Sequence, residues 1–224
     1  MNGRPAILDE RLWFPPPAEA LCSADLNGLL AVGGDLSVPR LLLAYRSGIF
    51  PWTDDPVTWW SPDPRAIFEL ECFRVPRSLQ RVLNHKTFTV TADQAFRSVM
   101  EGCAEPALGR YTTWISPAFM EAYVRLHQAG HAHSVECWRE GRLVGGLYGV
   151  AVGGFFAGES MFRREDNASK VALAYLVAHL RQRGFVLCDI QMLTPITRQL
   201  GGVLLARDLY LERLAHAVAR PCTF

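Results

Sequence analysis

Hydrophobic and polar positions alternate with two textures along this chain. Up to Pro64 the periodic stretches are short. Residues 38–47 carry a helical period, with Ser37 as N-cap, Pro39 in the first turn and Gly48 as the stop. Residues 29–32 and Val57–Trp60 read as short extended pieces. From Arg65 onward, periods of two and of 3.6 take turns. Residues 66–71 predict a strand, residues 78–83 a helix and residues 87–91 a strand. Asp93 is expected to cap a helix ending at Cys103, and Ser116, followed by Pro117, one ending at His127. Residues 133–139 and Arg142–Val152 predict a hairpin turning at Glu140-Gly141, with residues 154–162 as a third strand. Residues 169–182 form an amphipathic helix stopped by Gly184. Residues 186–191 predict a strand opening into a polar loop, and residues 208–218 a last helix. The reading is α/β (α+β), a partly antiparallel sheet covered by helices. A small aromatic-rich N-terminal domain, residues 1–65, is expected to precede a larger one, residues 66–224.

Composition adds limits. The chain has 224 residues, half of them hydrophobic and 20% charged, enough for a real core. Prolines and tryptophans concentrate early: nine of the 14 prolines lie from Pro5 to Pro64, and four of the six tryptophans from Trp13 to Trp60. The net charge of +1 predicts that any nucleic-acid contact is a local patch. The stretch 1–13 carries charges and prolines where a secretory leader has an apolar run. The longest apolar passage, 143–156, is broken by five glycines, so a cytoplasmic protein without a membrane span is expected. Cysteines 22, 72, 103, 137, 188 and 222 form no Cys-x-x-Cys pair, and neither a metal nor a cofactor is expected.

Standard catalytic devices are missing. There is no Gly-x-x-x-x-Gly-Lys-Ser/Thr loop and no Gly-x-Ser-x-Gly elbow. The glycines from Gly145 to Gly158 have the wrong spacing for a dinucleotide loop and suit bulges or a close backbone approach. His127, His131 and His133 lie around a helix end, where their rings are not expected to converge on a metal. Three features remain. Trp52, Trp59, Trp60 and Trp114 fill a core or line a pocket. Glu159, Asp189 and Gln191 are polar on apolar strands; Asp189 and Gln191, two apart, are expected to share a face. Such carboxylates are either partnered or mark a site. Arg74, Arg77, Arg81, His85 and Lys86 form a basic segment, with Arg77 and Arg81 on one helical face that meets phosphates or water.

Together these segments resemble the bacterial leucyl/phenylalanyl-tRNA–protein transferases. The resemblance runs in order through Gly-Leu-Leu-Ala-Val-Gly-Gly-Asp-Leu-Ser (28–37), Ala-Tyr-Arg-Ser-Gly-Ile-Phe-Pro-Trp (44–52) and Trp-Trp-Ser-Pro-Asp-Pro-Arg (59–65). It continues through Thr-Trp-Ile (113–115), Ala-His-Ser-Val-Glu (132–136), Gly-Gly-Leu-Tyr-Gly-Val (145–150), Gly-Glu-Ser-Met-Phe (158–162) and Ala-Ser-Lys (168–170). It implies a larger domain similar to the GCN5-related N-acetyltransferase fold. It also implies transfer of leucine or phenylalanine, with methionine tolerated, from aminoacyl-tRNA to proteins beginning with Lys or Arg, which marks them for N-degron degradation. The expected enzyme is a monomer without cofactor. The aminoacyl pocket implied is Trp52, Trp114 and Leu176, to which Met161 is added for its closeness to Glu159. Asp189 and Gln191 would orient and polarise the acceptor α-amine, Glu159 would hold the cationic acceptor, and Arg77, Arg81 and Lys86 would grip the acceptor stem. The chain departs from the family pattern in reading Ile190 where a cysteine is usual, and in its 194–202 loop. Two alternatives stay open: an acyl-CoA acetyltransferase, although residues 163–170 lack the glycines of a pyrophosphate loop, and a binding module without catalysis.

Overall fold

A computed structural model describes residues 4–106 and 113–224; the first three residues of the stretch read for a leader lie outside them. The N-terminal part holds β1 (Ala6–Leu8), β2 (Leu29–Gly33), α1 (Val38–Arg46), β3 (Phe50–Asp54) and β4 (Val57–Trp60). Its four strands form one sheet in the order β1-β2-β4-β3. Helix α1 starts and stops as its sequence dictates. The Ser37 hydroxyl accepts from the Arg40 amide, and Gly48 takes a φ of +75°.

The larger part continues with β5 (Arg65–Phe68), α2 (Arg77–Asn84), β6 (Thr89–Ala92), α3 (Phe96–Ala104), α4 (Pro117–Gln128), β7 (Ala132–Arg139), β8 (Arg142–Val152) and β9 (Phe155–Arg163). It ends with α5 (Ala168–Gln182), β10 (Leu187–Gln191), α6 (Pro195–Gln199), β11 (Gly202–Leu205) and α7 (Arg207–Val218). Seven strands make one mixed sheet, β11-β5-β10-β9-β8-β7-β6, antiparallel except where β9 meets β10. The mixed α/β architecture is the expected one. The hairpin turns at Glu140 and Gly141, both at positive φ, as a two-residue turn between twisted strands requires. Helix α5 packs on β7 and β8 across one face of the sheet, while α3 meets β8 and β9 and α4 meets β7. One cluster of buried side chains runs from Leu30, Tyr45 and Trp59 into Phe96, Phe119, Tyr148 and Phe155. The N-terminal sheet is therefore packed onto the larger one.

Four expectations are corrected. The strand beginning near Ala66 ends at Phe68, because residues 70–72 turn into a 3-10 coil. Asp93 does not cap α3. It sits at a φ of +58°, and its carboxylate accepts from the Ser134 amide and pairs with His133. The buried Glu136 carboxylate meets the Ala95 amide at the head of α3, held there by the hydroxyls of Ser134 and Thr91. The polar loop after Gln191 holds α6, closed by a Thr194/Thr197 capping box, and β11. Asp189 and Gln191 do not follow simple alternation, for the reason given next.

Candidate active site

Two β-bulges build the centre. Between β8 and β9, Tyr148 faces Ser160 and Gly149 faces Gly158, so Glu159 is the extra residue. Between β10 and β5, Asp189 faces Ile67 and Gln191 faces Ala66, so Ile190 is the extra residue. A bulge re-aims a side chain that alternation would otherwise place. Gly149 is required at the first one: a Cβ there would lie 2.2 Å from the Ala157 carbonyl and 2.5 Å from the Phe156 ring. That bears out the reading of in-strand glycines as bulge markers. At the second bulge Gln191 takes a φ of +56°, and the Asp189 carboxylate accepts its amide at 2.8 Å.

The bulges separate two carboxylates that the sequence grouped together. Asp189 is fully buried. Its oxygens accept from Arg65 Nε at 2.9 and 3.1 Å, from Arg65 Nη2 at 2.6 Å and from the Tyr210 hydroxyl at 2.7 Å. The Arg65 guanidinium lies 4.7 Å from the ring centres of both Phe50 and Tyr210 and donates to the Gly48 carbonyl. Burial opposes its charge, yet Asp189 nearby holds it protonated well above its ordinary range. Asp189 lines none of the three cavities described below.

Glu159 is only half-buried and has weaker company. Gln191 Nε2 donates to its Oε1 at 2.9 Å, and the Tyr123 hydroxyl to Oε2 at 3.3 Å. Tyr123 in turn shares a short hydrogen bond with Tyr45. Burial pushes the Glu159 carboxyl up to about 7; hydrogen bonds from Tyr45 and Tyr123 oppose this, and the nearby Asp189 adds to it. Such a group changes charge near neutral pH, which suits proton transfer.

Three cavities meet at Gln191 and Met192. The first, about 140 Å³, is walled by Phe68, Leu147, Met161, Leu173, Leu176 and Cys188, with Glu159 at its edge. The second, about 120 Å³, lies between Phe50, Pro51, Trp52 and Trp114, and again reaches Glu159. The third is a groove of about 600 Å³ between the N-terminal sheet and the segment around α6. The four side chains expected in one pocket thus fall into two: Met161 and Leu176 in the first cavity, Trp52 and Trp114 in the second. Arg77, Arg81 and Lys86 are exposed on α2 or just after it and line none of the three. His127 and His133 both turn to Asp93, at 3.9 and 2.7 Å, and His133 also stacks on Phe224. No group of three or more potential metal ligands occurs among the described residues. No described helix is long and apolar enough to cross a membrane.

Sequence reasoning missed Arg65, Tyr45, Tyr123 and Tyr210. The demand that a carboxylate on an apolar strand have a partner was readable. Which of 23 basic residues supplies it was not, because Arg65 lies 124 positions away.

Comparison with known proteins bears on this arrangement. Residues 67–215 match the family model described as leucyl/phenylalanyl-tRNA protein transferase, and residues 34–63 match the model for the N-terminal domain of the same proteins. A leucyl/phenylalanyl-tRNA–protein transferase of Shewanella pealeana is 51% identical over 218 residues, 96% of this chain and 92% of that protein. The corresponding protein of Thiobacillus denitrificans is 52% identical over 211 residues, 93% of this chain and 92% of that one. Among solved structures, a GCN5-related N-acetyltransferase from Kribbella flavida aligns over 74% of this chain and 60% of its own, with a TM-score of 0.40 and 13% identity.

Proposed function

Because this chain belongs to the leucyl/phenylalanyl-tRNA–protein transferase family, enzymes that move an aminoacyl group from tRNA to a protein, we propose leucyl- and phenylalanyl-tRNA as its donors and proteins beginning with Lys or Arg as its acceptors. The same reading has it act as a monomer in the cytoplasm, marking its acceptors for N-degron degradation, with residues 1–65 and 66–224 as its two domains.

The observation that carries the proposal is the Glu159–Gln191 pair at the junction of an apolar cavity and an aromatic slot. A dry apolar cavity of about 150 Å³ holds a benzene ring, so the 140 Å³ cavity suits a leucyl or benzyl side chain. Its lining rejects charged donors, and related apolar ones such as methionine are weakly discriminated. The slot between Trp52 and Trp114 suits the planar base at the end of the tRNA. Arg77, Arg81 and Lys86 would meet phosphates of the acceptor stem.

The donor ester is already activated, so alignment is the main task. The acceptor α-amine, with a reference pKa of roughly 7.7–8.0, is partly neutral near pH 7. It attacks the ester carbonyl; the new C–N bond forms as the C–O bond to the terminal ribose breaks. Gln191 already donates its amide nitrogen to Glu159, which leaves its carbonyl oxygen to accept from the amine. Glu159 takes the amine's proton, and the leaving ribose oxygen takes one back. Asp189 acts through Gln191, by fixing the backbone that presents it. Incubation with leucyl-tRNA and a peptide beginning with arginine tests the proposal. The expected result is leucine on the peptide's α-amine. Turnover of acetyl-CoA, or binding without product, would overturn it.

A further inference from the structure

Three tyrosines are buried around Glu159 without being equivalent: Tyr45 on α1, Tyr123 on α4 and Tyr148 on β8. Packing alone is as well served by phenylalanine, because a buried hydroxyl needs a partner to repay the water it loses. Tyr148 behaves as a phenylalanine would. Its ring packs edge-on against Tyr123 and Phe96, and its hydroxyl makes no hydrogen bond among the described residues. The other two hydroxyls are chained. Tyr123 donates to Glu159 Oε2 at 3.3 Å, so its single proton is spent there, and in the short bond between the two phenols Tyr45 is the donor. Burial and the Glu159 charge push both phenols well above their ordinary range, so they stay protonated donors across neutral pH. Gln191 Nε2 holds the other carboxylate oxygen, Oε1. Through Tyr45, the N-terminal part reaches this network.

We propose that Tyr45 and Tyr123 are positioning residues of the transfer reaction: in series they pin Glu159 Oε2 at the junction of the two cavities and favour the carboxylate that accepts the amine's proton. The inference rests on the reaction proposed above, in which Glu159 is that acceptor. Neither phenol lines a cavity described above, so both act through Glu159. Two donors in series polarise each other and grip a charged oxygen harder than a neutral one. The chain therefore loosens when Glu159 takes the amine's proton and tightens when that proton passes to the ribose oxygen. The charged groups that face Glu159 are Asp189 on β10, which disfavours its charge, and Arg65 on β5, which favours it. Tyr148 and Tyr210, on β8 and α7, lie near it as neutral phenols. Cutting the chain leaves all four in place.

The test removes one hydroxyl at a time, in Tyr45→Phe, Tyr123→Phe and the double variant, with Tyr148→Phe as control. The first readout is the titration of the Glu159 carboxyl, followed by carbon NMR of glutamate-labelled protein and assigned by its loss in Glu159→Gln. The parent should titrate at about 7. The double variant should titrate at least about one pH unit higher, a roughly tenfold tighter hold on the proton and the scale of a hydrogen bond to a charged group. Each single variant should move the same way by less, and Tyr148→Phe should not move. At pH 7 the charged share of Glu159 then drops from about half to about a tenth, so single-turnover transfer from saturating leucyl-tRNA to an arginine-initiated peptide should fall by roughly fivefold and recover as pH is raised. Tyr123→Phe strands the buried Tyr45 hydroxyl; the double variant removes both ends of the short bond, so it keeps the test open where the single one misfolds. A midpoint in the double variant equal to the parent's overturns the proposal, as does an equal rise in Tyr148→Phe. A loss of rate at every pH with no shift also overturns it, because that marks a purely structural role. If the parent leucylates no peptide, the transfer reading itself fails, and the part assigned to the two phenols falls with it even where the titration shifts.

Discussion

Asp189 and Glu159 are carboxylates on neighbouring parallel strands, yet the molecule treats them in opposite ways. Asp189 lies in register with Ala157, two residues before Glu159. It accepts from a guanidinium, a phenol and an amide, is closed off from solvent, and lines none of the three cavities. Glu159 accepts from the Gln191 amide and, at 3.3 Å, from the Tyr123 phenol, with the Tyr45 phenol beside it, and borders two cavities. The first arrangement joins the two sheets, because Arg65 also binds the Gly48 carbonyl and stacks on Phe50 of the N-terminal part. The second is raised by burial and by the Asp189 charge, against the hydrogen bonds of Tyr45 and Tyr123, which makes its proton exchangeable near neutral pH. A fully paired buried carboxylate is structure, and a poorly paired one beside a cavity is chemistry.

The sharpest way to break this contrast is Asp189→Ala. It strands the Arg65 guanidinium, and losing one partner of a buried pair costs about 3–5 kcal/mol. Urea unfolding should show that loss, and transfer should fall with the folded fraction and somewhat further, because the Gln191 amide also loses the carboxylate that fixes it. Replacing both partners, Arg65→Met with Asp189→Leu, should recover only part of the stability: the unpaired charge is gone, but the Tyr210 hydroxyl, the Gln191 amide and the Gly48 carbonyl lose these partners. If Asp189→Ala unfolds at the parent's midpoint and loses only activity, Asp189 belongs to the chemistry and the contrast is wrong.

Glu159→Gln should do the reverse. Transfer in single-turnover assays should fall by roughly 100-fold or more, the usual worth of a general base, with the fold intact. The pH dependence gives the sign. The Glu159 carboxyl is raised from 4.5 to about 7. Between those values the folded chain keeps a proton that the unfolded chain has released. Stability therefore falls as pH rises through that window, and the charged form is disfavoured above it. Removing the charge should flatten this slope, so Glu159→Gln should match or exceed the parent's urea midpoint at pH 8. The parent's rate should rise through about pH 7 as Glu159 loses its proton; in the variant that limb should give way to a later rise set by the acceptor amine alone, at roughly 7.7–8.0. A variant less stable than the parent at pH 8, with the limb retained, would show that Glu159 is held for structure.

The contrast also marks how far the sequence could be read. Helix ends were legible where one side chain sets them: Ser37 and Gly48, Ser116 with Pro117, and Gly184. The Glu140-Gly141 hairpin was legible for the same reason, since its turn needs two positive-φ residues. Glu159, Gln191, Met161 and Leu176, singled out in the sequence, line one cavity. What escaped was long-range. Helix α3 starts without a side-chain cap, and the nearby carboxylate, Glu136 on the Ala95 amide, comes from 41 positions away, so Asp93 was the natural local choice. Arg65 and Tyr210 reach Asp189 from distant elements. Bulges leave only a weak trace, a glycine such as Gly149, and they decide which carboxylate faces the cavity. Helix α6, at five residues, is too short to carry a period.

The smallest expected effect tests the apolar wall beside Glu159. Met161 lines the apolar cavity beside Glu159 and is not wholly buried, so Met161→Phe can be accommodated at modest cost. The added ring narrows a space of about 140 Å³. The benzyl donor should lose more than the isobutyl one, by roughly tenfold in relative kcat/KM, since apolar pockets discriminate by about 1–3 kcal/mol. Competition between leucyl- and phenylalanyl-tRNA for one acceptor peptide measures this ratio directly. An equal loss for both donors would remove the donor side chain from this cavity. A selective loss would place the donor side chain in this cavity, where it completes the apolar wall beside Glu159.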